Sequence, residues 1–192
     1  MSKDFIVEVS ARHVHLSQEA VEILFGKGAT LTKDRDLSQP GEFACIERVD
    51  VVGPKNTLKN VAILGPARAA SQVEISVTDG FSIGVPAMVR GSGDVAGTNG
   101  VILRSEQGEV TLQEGVIAAM RHIHATPQSA QELGIEDQQI VKVAIDTQGR
   151  SLIFGDVLVR VSPKFALAMH IDTDEANAAS IGRAGVQGYI VE

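Results

Sequence analysis

The sequence R-H-V-H-L-S at residues 12–17 is answered by R-H-I-H-A-T at residues 121–126, 109 residues further along the chain. In both copies the motif leads into a segment typical of a short helix, SQEAVEILFG (17–26) in the first and TPQSAQELG (126–134) in the second. A motif repeated together with its following element indicates a duplicated structural unit. The sequence therefore predicts two similar halves.

Short runs rich in β-branched residues surround the two copies, with turn-forming sequences such as GPKN (53–56) and GTNG (97–100) between them. This spacing favours antiparallel strands and barrels over alternating strands and helices. We therefore predict a mainly β fold, built from two similar β-barrel domains with a few short helices. The predicted strands are FIVEVS (5–10), ERVDVVG (47–53), NVAILG (60–65), QVEISV (72–77), VILRS (101–105), EVTL (109–112), IVKVAID (140–146) and LIFGDVLVRVS (152–162).

The two predicted halves differ in length. The first β-barrel half spans residues 12–119 and the second spans residues 120–192. Because the second half is shorter, we expect the N-terminal strand within residues 1–11 to complete its sheet. The N-terminal strand would then belong to the C-terminal barrel.

Composition narrows the classes of partner. The chain has 192 residues and a formal net charge of −7, with no cluster of basic residues, so it lacks the electrostatic features of proteins that bind nucleic acids or anionic membranes. No stretch approaches the roughly 20 apolar residues that a membrane span requires. A single cysteine cannot form an internal disulfide, which agrees with a reducing cytosol. We expect a small-molecule partner.

All five histidines fall into a pattern: two H-x-H pairs, His13/His15 and His122/His124, and His170. In an extended strand, residues i and i+2 lie on one side with Cα atoms about 6.6 Å apart, so both imidazoles can bind one metal ion. Each pair could therefore form the basis of a metal site. The alternative is that these are surface or core histidines with satisfied hydrogen bonds.

Histidines rarely complete two metal sites alone, so a carboxylate is expected, and Glu74 is a candidate. Strand alternation by itself would instead place Glu74 on a solvated face with Gln72 and Ser76. Before it, Pro66 could begin a helical turn that presents Arg68, whose planar fork suits an oxyanion or phosphate. The alternative for Arg68 is an exposed surface side chain.

Two further motifs favour structural roles. The acidic run Asp172-Thr173-Asp174-Glu175 lacks the glycine and glutamate of a calcium loop, so we predict that it caps a helix within 172–182. Cys45 lies in F-A-C-I (43–46) and is predicted to be a small buried hydrophobic residue rather than a nucleophile.

Four blocks of the sequence, in this order, resemble the signatures of the propanediol-utilisation phosphotransacylase family, also called phosphate propanoyltransferase. The blocks are S-A-R-H-V-H-L-S (10–17), G-P-A-R-x-x-S-Q-V-E (65–74), R-H-I-H-x-T-P (121–127) and H-I-D-T-D-E-A-N (170–177). The resemblance implies a transferase that interconverts acyl-CoA and phosphate with acyl phosphate and CoA. It also implies two similar β-barrels, with the N-terminal strand in the C-terminal one, and a homodimer.

The resemblance further implies two zinc ions per chain and coenzyme A as substrate. His13, His15 and Glu74 match the ligands of the zinc that also holds the CoA sulfur. The second zinc, completed by water or phosphate, is matched by His122, His124 and His170. Arg68 matches the arginine near the phosphate, and Ser10, Leu64 and Asn177 fall where the family contacts CoA.

Only nine residues precede Ser10, and members that enter bacterial microcompartments often carry an amphipathic leader there, so we expect a cytoplasmic enzyme. Two other functions stay open. His13-x-His15-x-x-x-Glu19 has the spacing of a cupin-like metalloenzyme, and a non-catalytic zinc-stabilised binding module would close every metal position with protein ligands. A dinuclear hydrolase on a TIM barrel would need about 250 residues and is excluded by length.

Overall fold

The computed structural model describes residues 3–182 and 184–192, which form fourteen strands and four helices. These elements belong to two compact units. The unit of residues 11–37 and 41–119 is called the N-terminal barrel. The C-terminal barrel comprises the segment that ends at Ser10, the three residues Ser38–Pro40 and the chain from Met120 onward, so the first strand, β1 (Phe5–Val9), belongs to it.

The N-terminal barrel contains most of the strands and two of the described helices. Its elements are β2 (His13–His15), α1 (Gln18–Phe25), β3 (Lys33–Asp36), β4 (Phe43–Val52), β5 (Thr57–Gly65), β6 (Gln72–Glu74), α2 (Val77–Ile83), β7 (Met88–Arg90), β8 (Asn99–Arg104) and β9 (Glu109–Ala119). Strands β4, β5, β2, β6, β9 and β8 pair in that order, and β8 pairs back with β4 to close the ring. Strands β3 and β7 extend the sheet from β4 and β9.

The C-terminal barrel is a closed ring of six strands. Its remaining elements are β10 (His122–Ala125), α3 (Pro127–Leu133), β11 (Ile140–Ile145), β12 (Leu152–Val161), β13 (Ala168–Ile171), α4 (Thr173–Ala178) and β14 (Val186–Val191). The order is β1, β13, β10, β12, β11, β14, and β14 pairs with β1. The N-terminal strand therefore completes the C-terminal barrel, as the sequence predicted.

The two rings share one topology. Each histidine pair lies on a short strand, β2 or β10, that runs parallel to a long strand (β5 or β12) and antiparallel to a second short strand (β6 or β13). In both barrels a helix follows the histidine strand and another follows its antiparallel neighbour. The prediction of a mainly β fold with two similar barrels and short helices is confirmed.

The alternation of side chains on the histidine strands separates the core from the site. Val14 and Ile123, each lying between two histidines, are fully buried in two separate hydrophobic clusters, one in each barrel. Because successive strand residues point to opposite faces, the histidines of a pair share the other face. Burial of the central residue thus fixes where the imidazoles point.

Polar N-cap residues start the helices that follow these short strands. Ser17 accepts a hydrogen bond from the backbone N–H of Ala20 at the start of α1, and Thr126 caps α3 with a reciprocal bond to Ser129. Asp172 and Glu175 form a capping box at α4, which confirms the structural interpretation of the acidic run.

One helix was not predicted. The predicted strand at 72–77 ends at Glu74, because Ser76 accepts a hydrogen bond from the backbone N–H of Asp79 and starts α2. The prediction of a strand over its last three residues is therefore wrong. The sequence does contain a Ser-x-x-Asp capping pattern at 76–79. Val77, Thr78 and Gly80 are poor helix formers, however, so the composition did not indicate a helix. None of the helices in the described ranges is long and apolar enough to cross a membrane.

Candidate metal centre

Two antiparallel strands of the N-terminal barrel bring a carboxylate against a histidine pair. In the β2–β6 register His13 lies opposite Glu74. The Nε2 atom of His13 is 3.5 Å from Oε2 of Glu74, and Nε2 of His15 is 3.7 Å from Oε1. All three side chains are buried, and their ligand atoms lie within 4.8 Å of one another.

Backbone carbonyls orient both imidazoles. Nδ1 of His13 lies 2.8 Å from the carbonyl oxygen of Ala11, and Nδ1 of His15 lies 3.2 Å from that of Leu64. Because a carbonyl can only accept, Nδ1 carries the proton in each ring when the imidazole is neutral. The Nε2 lone pairs are thus directed at Glu74, the arrangement found in metal-binding histidines.

The charges in this cluster favour cation binding. Burial opposes ionisation of Glu74, but His13, His15 and the Ser92 hydroxyl outweigh it, and the pKa of the carboxyl lies well below its usual range. Burial and the neighbouring His13 and Arg68 lower the pKa of His15 to about 3. Burial also disfavours a charged His13, but Glu74 overcomes it and raises the pKa of that ring. An ionised carboxylate beside a neutral imidazole is a donor set ready for a metal ion.

A polar network holds the carboxylate of Glu74 in place. Oε1 accepts hydrogen bonds from Nε2 of Gln72 at 2.5 Å and from the Ser92 hydroxyl at 2.8 Å. Gln72 is fixed in turn, because its Oε1 accepts from the backbone N–H of Gly93 at 2.7 Å. The Gly91–Asp94 turn therefore contacts the network around the cluster, and Oε2 of Glu74 is left facing His13.

Arg68 lies at the edge of the same network and is partly exposed. Its Nη1 is 3.4 Å from the Ser92 hydroxyl, and its Nη2 donates to Glu42 at 3.2 Å. The predicted helical turn at Pro66 does not form, so that expectation is wrong. Instead the backbone N–H of Arg68 donates to the carbonyl of Leu16, and Arg68 forms a bridge with Ser17, which fixes it beside the end of β2.

In the C-terminal barrel the remaining three histidines form a second cluster. The ring centroids of His122 and His124 are 4.7 Å apart. The ring centroid of His170 lies 5.4 Å from that of His122 and 5.0 Å from that of His124. Nδ1 of His122 lies 2.8 Å from the carbonyl oxygen of Met120, and Nδ1 of His170 lies 3.8 Å from the Glu8 carboxylate.

The two clusters are built to one plan. His122 lies opposite His170 in the β10–β13 register, as His13 lies opposite Glu74 in the β2–β6 register. The first histidine of each pair is oriented by the carbonyl two residues before it. Glu74 and His170 therefore occupy equivalent positions in the two barrels.

The cluster in the N-terminal barrel fits a zinc ion. Two imidazole nitrogens and a carboxylate oxygen are common zinc ligands, and bonds of about 2.0–2.1 Å in tetrahedral geometry put two ligand atoms about 3.4 Å apart. The distances of 3.5 and 3.7 Å between Nε2 and the carboxylate oxygens come close to this value. Three protein ligands also leave the fourth position that catalytic zinc sites keep open.

The family model of phosphate propanoyltransferase matches residues 6–182 of the chain, which include both clusters. The chain belongs to this family. The match runs from the second residue of β1 through α4, so it includes strands of both barrels.

Relatives with the same name are similar over almost the whole chain. The phosphate propanoyltransferase of Listeria monocytogenes is 53% identical over 186 residues, which is 97% of this chain and 86% of the relative. Those of Enterococcus faecalis and Thermotoga maritima are 52% and 51% identical and cover 98% and 97% of the chain, and 88% and 89% of their own lengths.

The three residues matched to CoA contacts lie outside the two clusters. Ser10 donates its backbone N–H to the carbonyl of Ile171 in the C-terminal barrel, and Asn177 is exposed on α4. Leu64 lies on β5, where its carbonyl orients His15. Glu19, which a cupin-like site would need, is exposed on the first turn of α1, whereas Glu74 lies beside the imidazoles.

Sequence reasoning missed the residues that support the clusters. Gln72 and Ser92 stabilise Glu74, while Glu8 and Gln39 contact His170 in the C-terminal barrel. Gln72 lies two residues before Glu74 and Glu8 lies two residues before Ser10, each within a predicted strand. Strand alternation therefore indicated that each shares a face with the later residue. Gln39 and Ser92 come from loops and carried no periodic signal.

Proposed function

We propose that the chain interconverts acyl-CoA and phosphate with acyl phosphate and CoA, with a short acyl group such as propanoyl, in a metal-dependent reaction. The observation that carries the proposal is the buried His13, His15 and Glu74 set, whose donor atoms have the spacing of zinc ligands. Membership of the phosphate propanoyltransferase family supports the class of reaction.

We propose two zinc ions per chain. His13, His15 and Glu74 would hold one, and His122, His124 and His170 would hold the other, since the two clusters share the strand register and the orientation of the first histidine of each pair. When bound, zinc would supply Lewis-acid stabilisation of the CoA thiolate and of a phosphate oxygen. The residues themselves present imidazole nitrogens and one ionised carboxylate to these ions.

Arg68 is proposed to bind phosphate. It is partly exposed, its backbone is fixed beside β2, and its Nη1 and Nη2 atoms contact Ser92 and Glu42. The planar fork can donate two parallel hydrogen bonds to phosphate oxygens, which offsets their negative charge as one of them approaches the thioester. A phosphate oxygen then forms a bond to the acyl carbon while the carbon–sulfur bond breaks and CoA leaves as thiolate.

No thiol of the protein is needed for this chemistry. Burial and the neighbouring Glu47 raise the pKa of Cys45 to about 11, and the side chain has no accessible surface. A covalent intermediate on Cys45 would require a thiolate that substrate can reach. Direct transfer of the acyl group between CoA and phosphate is therefore the proposed route.

The test measures zinc content and acyl-phosphate-dependent thioester formation in single variants. We expect His13→Ala, Glu74→Ala and His122→Ala to lose zinc and activity, and Arg68→Ala to keep zinc but lose about 100-fold in turnover. Near wild-type rates in folded variants would contradict these roles. A protein that binds zinc tightly but never turns over acyl phosphate with CoA would instead be the zinc-stabilised binding module.

Several expectations from the resemblance stay predictions. They are the CoA contacts of Ser10, Leu64 and Asn177, the homodimer and the cytoplasmic location. Crystals grown with CoA address the contacts, and each of the three side chains has a defined position in its barrel against which electron density can be compared.

A further inference from the structure

Each histidine pair is immediately preceded by an arginine, Arg12 before His13 and Arg121 before His122. Neither arginine has a role in the function proposed above. Both make an ion pair with an acidic residue on a short helix of the same barrel. The structure repeats this arrangement in two barrels that share one topology, which makes a chance contact a poor explanation.

In the N-terminal barrel, Nη2 of Arg12 lies 3.1 Å from Oδ1 of Asp79. Asp79 is the third residue of α2, the helix that starts from Ser76, with one residue between Ser76 and the end of β6. Its side chain is only 8% exposed, and among the described residues its Oδ2 atom has no hydrogen-bond partner. A buried carboxylate needs a compensating charge, and Arg12 supplies it.

In the C-terminal barrel, Nε of Arg121 lies 2.9 Å from Oε1 of Glu175. Glu175 is likewise the third residue of its helix, α4, which starts from Asp172 directly after β13. The other carboxylate oxygen of Glu175 accepts from the backbone N–H of Asp172 at 2.9 Å, which fixes the acid.

The offset is the same in both barrels. The acid lies five residues after the third member of its cluster, Asp79 after Glu74 and Glu175 after His170. The arginine therefore links the strand that bears the histidine pair to the helix that follows the third cluster residue. The ion pair thus fixes the histidine pair and the third cluster residue relative to each other.

The link reaches the histidine through a single peptide group. The carbonyl oxygen that orients His13 belongs to Ala11, which is bonded directly to the nitrogen of Arg12, and the one that orients His122 belongs to Met120, bonded to Arg121. An arginine fixed by its ion pair restricts rotation of that peptide group. The carbonyl then holds Nδ1–H, and Nε2 stays directed at the cluster.

We propose that Arg12 and Arg121 are positioning residues, which use their ion pairs with Asp79 and Glu175 to fix the carbonyls that orient His13 and His122 for metal binding. The inference rests on the proposed function, because it assumes that the clusters bind zinc. It assigns one arginine and one acid to each cluster, and it requires no contact between either arginine and substrate.

The experiment follows release of zinc from the purified holoenzyme to a chromogenic chelator. We expect Arg12→Gln to release one zinc per chain about 10-fold faster than wild type and to leave the other unchanged, since loss of such a supporting group weakens metal binding 10- to 100-fold. Arg121→Gln should accelerate release of the other zinc. Asp79→Asn should match Arg12→Gln, and the double variant should add little, because both changes remove the same ion pair.

Arg104→Gln is the matched control, since Arg104 makes a 2.7 Å ion pair with Glu109 in the N-terminal barrel, on strands β8 and β9. It should release zinc at the wild-type rate. Arg12→Lys keeps the charge but loses the fork, and its intermediate release rate would support the proposal if Arg12→Gln folds poorly.

Two results would overturn the inference and leave the proposed function standing. One is wild-type zinc release from folded Arg12→Gln and Arg12→Lys. The other is unchanged zinc release together with a raised KM for CoA, which would make Arg12 a substrate-binding residue. A wild-type protein that holds no zinc would contradict the proposed function itself, and this inference with it.

Discussion

The thiol of Cys45 lies on β4 with no accessible surface, and burial raises its pKa to about 11. At pH 8 roughly one thiol in 1,000 would be ionised, because each unit between pH and pKa is a factor of ten. We predict that a chromogenic disulfide reagent leaves Cys45 unmodified in the folded protein and titrates one thiol per chain in urea.

The functional counterpart is Cys45→Ala, which should retain the turnover number of wild type, since the proposed transfer uses no protein thiol. Rapid modification of the folded protein with parallel loss of activity would contradict both the burial of Cys45 and the direct route.

Glu74 shows where sequence reasoning on single residues stops. The histidine pairs were visible because two identical spacings recur, but Glu74 alternates with Val73 and Ile75, a pattern typical of an exposed polar face. In the structure Gln72 and Glu74 are both buried, like the valine between them. Alternation reports which residues share a face of a strand, whereas burial of both faces depends on partners such as Ser92, which comes from a distant turn.

A capped helix follows each strand that bears a histidine pair, and the N-cap residue lies just beyond the end of that strand. Thr126 accepts from the backbone N–H of Ser129 at 3.0 Å and donates its own backbone N–H to the Ser129 hydroxyl at 2.8 Å. We predict that Thr126→Ala lowers the free energy of unfolding by about 1 kcal/mol, measured by urea denaturation. Gln128→Ala, two residues further along and exposed on the same helix, is the control and should change it by less than about 0.5 kcal/mol. Equal losses in the two variants would argue against the cap.

Elements with a local signal were the ones that could be predicted. α1, α3 and α4 combine polar N-caps with good helix formers such as Ala and Glu, and α1 and α3 also end at glycines, Gly26 and Gly134. α2 has a cap and a closing glycine too, Ser76 and Gly84, but the poor helix formers between them hid it. The long strands β4 and β5 extend several residues before the predicted runs, because pairing with neighbours, rather than β-branched composition alone, decides where a strand begins. β3, with the sequence K-D-R-D, has no apolar residue and was not predicted, since only its pairing with β4 makes it a strand.

At the scale of the molecule, the C-terminal barrel depends on β1. Val7 is fully buried, lies opposite Met169 on β13 and pairs with Val186 on β14. We predict that Val7→Asp destabilises this barrel by about 3 kcal/mol or more, because a carboxylate would be buried without a partner. Hydrogen exchange should show faster exchange on β10, β13 and β14.

The control for this variant is Ile153→Asp, on β12 of the same barrel, where the native side chain is 60% exposed. It should leave exchange rates close to wild type. Protection of β13 and β14 that survives in Val7→Asp would show that β1 is dispensable for closing the ring.

Two features of the whole molecule could be predicted from the sequence. The duplication is visible as a repeated motif, and the place of the N-terminal strand in the C-terminal barrel follows from the unequal lengths of the two halves. The sheet order could not be predicted, because both parallel and antiparallel neighbours of β2 and β10 are distant in sequence. Pairing between distant strands leaves no periodic trace in either partner.

The pairing of β1 with β14 also has a consequence for protein synthesis. β1 is synthesised before residues 11–119, whereas both of its neighbours, β13 and β14, are synthesised after them. Until β13 and β14 are made, β1 is therefore an unpaired apolar edge while residues 11–119 are already available to fold, and such edges invite wrong pairing. The nascent chain must keep β1 uncommitted until β13 and β14 have been released.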